Sequence, residues 1–96
     1  MSENQTGLNS NFIKIESGTF TASAGTAATW SDKSVNYNTT FKEKPFLCVM
    51  PYGKGSNPNQ YATLFSVVAE TKTGFTIGRY NGTTAQSYIY YAIGFV

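Results

Sequence analysis

The chain has 96 residues, of which 16% are aromatic and 12% charged, and its formal net charge is +2. This length predicts a single domain, and the charged share, about half the usual value, predicts a surface covered by Thr, Ser, Asn and Gly. The seven Lys and Arg residues are scattered, so we expect no nucleic-acid partner, which would require clustered positive charge.

The side chains needed for most enzymatic sites are scarce. Histidine is absent, which excludes Ser-His-Asp and Cys-His catalysis and every histidine-bound metal site. That there are only five acidic residues argues against a dedicated calcium cage, which needs several carboxylates. Glu16 and Glu70 fall at polar positions or ends of predicted strands, where a carboxylate is usually solvated rather than paired for glycoside hydrolysis. We therefore expect no enzyme, no cofactor and no metal.

The N-terminal region is polar. Residues 1–11 lack hydrophobic periodicity, so we predict a flexible leader there and one domain over residues 12–96. Neither a secretory signal nor an apolar run long enough to span a membrane is visible, and no membrane insertion is expected. A protein of this kind would reach the cell exterior by lysis or within a virion.

In the first half of the chain, apolar residues alternate with polar ones. Residues 12–16 show the period of two typical of a half-buried strand, which resumes over 19–22. A loop over 23–29 leads to Trp30, and a second alternating strand is predicted over 33–41. A charged corner ending in proline follows.

The second half is more apolar. Residues 46–52 predict a central strand that ends or bulges at Pro51, because proline cannot donate to a ladder. Cys48 within it is expected to be a small buried hydrophobe. A loop over 53–60 and strands over 61–70, 75–80 and 87–96 complete an all-β pattern of short strands separated by turns.

Several predicted strands are apolar on both faces, whereas a strand in a sandwich presents one face to the core. The surplus requires a second covering surface, and subunit contact is the simplest one. We therefore expect a homo-oligomer. The surplus residues are Leu47 or Cys48, Leu64 or Phe65, and Tyr88 and Tyr90.

Short motifs spread over residues 12–96 resemble those of the H-type lectin domain and of bacteriophage tail fibre and receptor-binding C-terminal domains. These motifs are Gly18-Thr-Phe20, Trp30, Phe41 to Pro45, Thr73-Gly-Phe75 and Ala92-Ile-Gly94, with Tyr90 where the lectins have tryptophan. The resemblance implies a six-stranded antiparallel β-sandwich that assembles as a trimer and binds cell-surface glycans. It also implies sugar sites that neighbouring subunits build together, commonly from an arginine, an aspartate and an aromatic residue.

Candidate glycan-binding residues lie at predicted strand ends and loops, where aromatic faces and polar groups would be available. Each has a structural alternative: Trp30 covering a sheet end, the two tyrosines flanking the 53–60 loop packing together, Arg79 serving a subunit contact, or Asn81 forming a turn. The candidates are Trp30, Asp32, Tyr52, Tyr61, Arg79, Tyr80 and Asn81.

The function expected from these observations is a carbohydrate- or receptor-binding domain of a phage or prophage tail, multivalent through a homotrimer. Two alternatives remain open at this point. One is a purely structural tail or baseplate component, whose aromatic surface serves only subunit contact. The other is a free microbial lectin.

Overall fold

The computed structural model describes residues 12–53 and 64–96, and within these ranges the chain forms β-strands and no helix. The all-β prediction is thereby confirmed. The strands are β1 (Ile13–Ala22), β2 (Trp30–Asn36), β3 (Phe46–Pro51), β4 (Leu64–Glu70), β5 (Gly74–Tyr80) and β6 (Gln86–Phe95).

These strands form two antiparallel three-stranded sheets. The first sheet has the order β1-β6-β3 and the second has the order β2-β5-β4. Their inner faces meet through aromatic rings: Phe75 of the second sheet lies 5.2 Å from Tyr90 of the first, in an edge-to-face contact. Phe65 and Tyr88 form a similar contact at 5.1 Å. The arrangement is compatible with a β-sandwich, in which inward residues of both sheets share one core.

The closing strand is central in its sheet, because β6 pairs with β1 along one edge and with β3 along the other. Period-two alternation turns Tyr88, Tyr90 and Ala92 into the core, where all are buried. The predicted strand over 87–96 is thus confirmed. Tyr88 and Tyr90 are core residues rather than surplus ones, so this part of the surplus prediction is wrong.

The second strand differs from its prediction. It begins at Trp30 and ends at Asn36, whereas alternation predicted a strand over 33–41. Tyr37 and Phe41 lie in the following loop, yet both are buried and their rings meet edge to face at 5.3 Å. The alternation arises because this loop, and not a strand, turns these rings into the core.

The Glu16 side chain holds the loop that follows β2 in place. Its side chain is 8% exposed, and its carboxylate accepts backbone N–H bonds from Asn38 at 3.0 Å and Thr39 at 2.8 Å. The Tyr90 hydroxyl donates a third bond at 2.5 Å. The expectation of a solvated Glu16 is wrong, because a carboxylate can be buried when enough donors satisfy it.

The third strand ends at Pro51 as predicted, but it is an edge strand rather than a central one. Its Cys48 is exposed, so the prediction of a buried thiol is wrong. An apolar strand can lie at the edge of a sheet when the face that it turns away from the core serves as a contact surface. The predictions for residues 1–11 and for the start of the strand over 61–70 lie outside the described residues.

Candidate functional site

A pair of aromatic rings, one exposed and one half-buried, forms the centre of the candidate site. Trp30 of β2 lies directly opposite Tyr80 of β5 in the antiparallel ladder, and their ring centroids are 5.7 Å apart at an interplanar angle of 59°. The Trp30 side chain is 56% exposed. We call this pair, on the outward face of the second sheet, the Trp30–Tyr80 platform. It offers a ligand an accessible indole face backed by a second ring.

A glycine next to the platform brings a carboxylate close to the indole. Gly78 pairs with Asp32 across the ladder, and a β-carbon added there would lie 3.2 Å from Asp32 Oδ1, Trp30 Cε3 and Val68 Cγ1. These three side chains therefore converge over the glycine. Asp32 shares the platform's face because residues two apart on a strand point the same way.

Crowding at this glycine gives a prediction for the site. In Gly78→Ala the added methyl must displace Trp30, Asp32 or Val68 by a few tenths of an ångström. We expect any ligand of the platform to bind several-fold more weakly, since small misplacements of contact groups are costly. The melting temperature should change little, because the methyl points outward. Titration calorimetry beside thermal unfolding checks this, and unaltered affinity would contradict it.

Hydroxyl groups continue the same face away from the platform. Ser34 Oγ and Thr76 Oγ1 lie 2.8 Å apart across β2 and β5. Beyond them is a depression of about 160 Å³ that is lined partly by Asn36, Thr71 and Thr73. The outward face of the second sheet thus changes from aromatic to hydroxyl-rich along its length.

Arg79 does not belong to this surface. It alternates inward between Gly78 and Tyr80 and is 1% exposed. Its guanidinium donates to the carbonyl oxygens of Ser23 at 3.0 Å and Thr84 at 2.7 Å, with a longer contact to that of Ala22 at 3.4 Å. The direct ligand contact predicted for Arg79 is therefore corrected to a structural role, in which it ties together the segments following β1 and β5.

The buried guanidinium also affects its surroundings. Burial raises the pKa of Tyr88, and the neighbouring Arg79 lowers it by a smaller amount, so the phenol remains neutral beneath the site. A β-carbon on Gly82 would approach Arg79 Cζ to 2.7 Å. The loop after β5 therefore passes close to the guanidinium, and a larger residue at Gly82 would have to displace the Arg79 side chain.

Asn81 positions the platform without being part of it. Its φ of 61° places it in the left-handed region, which asparagine tolerates better than most residues. Its Oδ1 accepts the Ala28 N–H at 3.0 Å, and its own N–H donates to the Thr29 carbonyl at 3.0 Å. Asn81 thus fixes the turn that leads directly into Trp30.

The two remaining candidates are not placed at the platform. Tyr52 follows β3 in the first sheet, where its N–H donates to the Ser87 carbonyl at 2.9 Å, and its ring is 53% exposed. It is therefore an exposed aromatic residue of the other sheet. Tyr61 lies outside the described residues.

The structure brings together Trp30, Asp32 and Tyr80 and adds residues that sequence reasoning missed. Gly78 is not among the residues predicted from the sequence. Ser66 and Val68 come from β4, whose register with β5 shifts at a bulge between Val67 and Ala69. The spacing Trp30-x-Asp32 could have indicated a common face. The contribution of β4 had no local signal, because it depends on pairing between distant segments.

In the parts of the chain that the structure describes, no group of three or more Cys, Asp or Glu side chains is arranged to hold a metal ion. No helix within residues 12–53 and 64–96 is long and apolar enough to cross a membrane.

The fold and the site together define a class, an antiparallel two-sheet domain with an exposed aromatic and carboxylate platform. In comparisons with known proteins, no protein-family model and no curated protein matches the chain.

Proposed function

We propose that the chain is a non-enzymatic carbohydrate-binding domain of a phage or prophage tail, which adheres to cell-surface glycans through the Trp30–Tyr80 platform. The observation that carries the proposal is an indole, 56% exposed, paired with Tyr80 and adjoining the Asp32 carboxylate over Gly78. An exposed tryptophan beside a carboxylate on a rigid strand is a surface that suits a sugar.

Sugar chemistry matches each part of this surface. The C–H groups on one face of a pyranose carry partial positive charge and pack against the electron-rich face of an aromatic ring. Sugar hydroxyls can donate to the Asp32 carboxylate, which accepts two or more hydrogen bonds. Ser34 and Thr76 provide additional donors and acceptors along the strand. A sugar would therefore be held by stacking at the platform and oriented by hydrogen bonds beside it.

The site is open, so a single copy would bind weakly. A shallow surface leaves much of the ligand in water, and a dissociation constant of about 1 mM corresponds to only about 4 kcal/mol. Linked sites raise the overall avidity by about 10²- to 10⁴-fold when their geometry allows simultaneous binding. The homotrimer implied by the H-type lectin resemblance would supply that multivalency on a glycan-coated cell.

The motif positions are consistent with that finer fold assignment. Thr73-Gly-Phe75 forms the entry into the central β5, and Ala92-Ile-Gly94 lies in the central β6. The motifs thus mark the two middle strands, which carry most of the core. This supports an H-type lectin-like sandwich as the closer description of the two sheets.

Removing the indole tests the proposal. Trp30→Ala should reduce glycan binding at least tenfold while leaving the fold intact, because the ring is largely exposed and stacking has no substitute at that position. The measurement is binding of fluorescent, bead-clustered protein to a glycan array and to bacterial surface polysaccharides, with circular dichroism on each variant.

Tyr52→Ala is the matched control, since its ring is exposed to a similar extent, 53%, but belongs to the other sheet. It should bind glycans like the wild type. Equal losses in Trp30→Ala and Tyr52→Ala, or undiminished binding in Trp30→Ala, would contradict the assignment of the site.

A second candidate, a purely structural tail component, is favoured by one observation. The outward face of the first sheet exposes large apolar residues such as Phe46, at 72%, and Ile15, at 64%, which are more typical of a subunit contact than of a free surface. A wild-type chain that oligomerises but binds no glycan or host cell would support this alternative.

A further inference from the structure

The outward face of the first sheet is a continuous apolar surface. In the pairing register Ile93 of β6 lies between Ile15 of β1 and Phe46 of β3, and Phe95 is opposite Ile13. We call the surface formed by these residues and Met50 the apolar face. Their exposed fractions range from 38% to 72%. Side chains on three adjacent strands thus form one patch rather than isolated apolar residues.

We infer that a second copy of this chain covers the apolar face. The inference concerns assembly and rests on the proposed function only in taking the assembled state to be a trimer. It commits to one surface, the outward face of β1-β6-β3, as the contact between copies.

The apolar face is large for the surface of a monomeric protein. With typical side-chain areas, the exposed fractions of these residues together with Tyr91 correspond to roughly 800 Å². A monomeric protein rarely exposes an apolar patch larger than about 300–600 Å², whereas a standard interface buries about 800 Å² per partner. The apolar face is therefore larger than a free apolar surface normally is and comparable with the area that one partner contributes to a standard interface.

The charge of the apolar face also favours contact between copies. None of the outward-facing residues in these three described strands is charged. Two identical faces can therefore approach without like-charge repulsion and without burying an unpaired ion. Around a threefold axis each apolar face would contact the faces of two neighbouring copies, and such a contact closes into a ring.

The residues of this sequence that lie outside the described ranges contain few large apolar side chains. By composition, residues 1–11 contain only Met1 and Leu8 as large apolar residues, and residues 54–63 contain only Tyr61. Burying a patch of roughly 800 Å² requires a comparable apolar surface opposite it. The apolar faces of neighbouring copies provide such a surface.

The arrangement leaves the candidate site free. The apolar face belongs to the first sheet, and the Trp30–Tyr80 platform lies on the outward face of the second sheet. Three apolar faces meeting around a threefold axis would direct three platforms away from that axis. Assembly through this face thus produces multivalency without occupying a binding site.

A charge placed in the centre of the apolar face tests the inference. Sedimentation velocity at micromolar concentration should give the wild type three times the 10.5 kDa chain mass, and Ile93→Glu and Phe46→Ser should sediment as monomers. Both positions are exposed in one chain, so circular dichroism should remain like that of the wild type. Lys33→Glu, an exposed position of the second sheet, is the control and should still assemble.

Cys48 reports on the same face without any substitution. It is exposed and pairs with Tyr91 in the register. Its reaction with an aromatic disulfide reagent should be at least tenfold slower in concentrated wild type than in dilute wild type. This readout decides the matter even if both variants fail to fold.

Three results would overturn the inference. They are a wild type that is monomeric with a Cys48 rate independent of concentration, assembly that persists in both folded variants, or a monomer that instead binds phosphatidylcholine vesicles. The proposed function is tested separately. Monomeric Ile93→Glu should keep the single-site affinity for glycan in solution, and an assembled wild type that binds no glycan would refute only the glycan proposal.

Discussion

Replacing Arg79 by methionine should lower the free energy of unfolding by about 3 kcal/mol, since hydrogen bonds to a charged donor contribute about 1.5–3 kcal/mol each. The guanidinium donates to the carbonyls of Ser23 and Thr84 at 3.0 and 2.7 Å. Methionine fills a similar volume but leaves these acceptors without their donor. Relief of the cation's desolvation offsets part of the loss, so the net cost is smaller than the sum of the bonds.

The measurement is a urea or guanidinium unfolding curve for each protein, with the midpoint and slope fitted together. A loss of this size is a large fraction of the roughly 5–15 kcal/mol that stabilises a typical domain. Lys33→Met removes an exposed cation from β2 and should change stability by less than about 0.5 kcal/mol. If Arg79→Met and Lys33→Met had the same midpoint, Arg79 would not be the structural tie described above.

Arg79→Lys should also be destabilising. The fork of the guanidinium reaches the Ser23 and Thr84 carbonyls from two different nitrogens, and one ammonium cannot reproduce that planar geometry. A substitution at Arg79 is therefore a poor test of glycan binding. It changes the folded fraction and the loops that precede Trp30, whereas Trp30→Ala changes the surface itself.

Replacing Glu16 by glutamine should cost about 2–4 kcal/mol, because it disrupts charge-assisted bonds from three buried or half-buried donors. The carboxylate oxygens accept the N–H groups of Asn38 and Thr39 and the hydroxyl of Tyr90. A glutamine has one acceptor oxygen, and its NH₂ group would face a donor. The loop that carries Tyr37 and Phe41 into the core would then lose its attachment to β1.

This carboxylate also predicts how stability depends on pH. Burial alone would raise the pKa of Glu16, but hydrogen bonds from Tyr90, Thr39 and Asn38 outweigh it and lower the pKa below 4.5. The contribution of Glu16 is therefore complete above about pH 4.5 and is lost as pH falls through the lower folded value. Wild-type unfolding midpoints should decline in that acidic range, and those of Glu16→Gln should decline less.

Glu43→Gln is the control for this effect, since Glu43 is exposed in the corner before β3. Its unfolding midpoint should follow that of the wild type at every pH. Equal acid sensitivity of the wild type and Glu16→Gln would show that Glu16 does not link protonation to unfolding.

Alkaline pH affects two buried tyrosines near Glu16, which are Tyr37 and Tyr90. Burial, and to a lesser degree Glu70 and Glu16, raise the pKa of Tyr37 from 10.0 to about 12. Burial and Glu16 also raise the pKa of Tyr90. A group with a raised folded pKa stabilises the fold below its unfolded pKa and loses that contribution as pH rises. Stability should thus decrease between about pH 10 and pH 12, together with the appearance of tyrosinate absorbance.

Local sequence patterns were sufficient to predict most strands but not their boundaries. Alternation predicted β1, and apolar runs bounded by turn residues predicted β3, β5, β6 and the described part of β4. Alternation failed at Tyr37 and Phe41, where the same period occurs in a loop. A loop can bury alternating rings when another element satisfies its backbone, and that element, Glu16, is 22 residues away from Asn38 in sequence.

The candidate site, like the strands, could be predicted from the sequence only in part. Sequence composition indicated that exposed aromatic and polar residues were the available binding chemistry, and Trp30, Asp32 and Tyr80 do share one surface. Strand pairing then separated them from Arg79, because a one-residue step along β5 turns a side chain to the opposite face. No local pattern distinguishes an arginine that points outward from one that donates to carbonyls of distant loop residues such as Ser23.

The sequence by itself determined the all-β class, the apolar closing strand and the absence of histidine chemistry, since these depend on composition and on neighbours along the chain. Only the tertiary structure decided which apolar face is core and which is exposed, that Arg79 is buried, and that Trp30 and Tyr80 are paired. Those outcomes depend on the register between segments far apart in sequence. Register is set by the pairing and packing of whole sheets rather than by any residue's immediate neighbours.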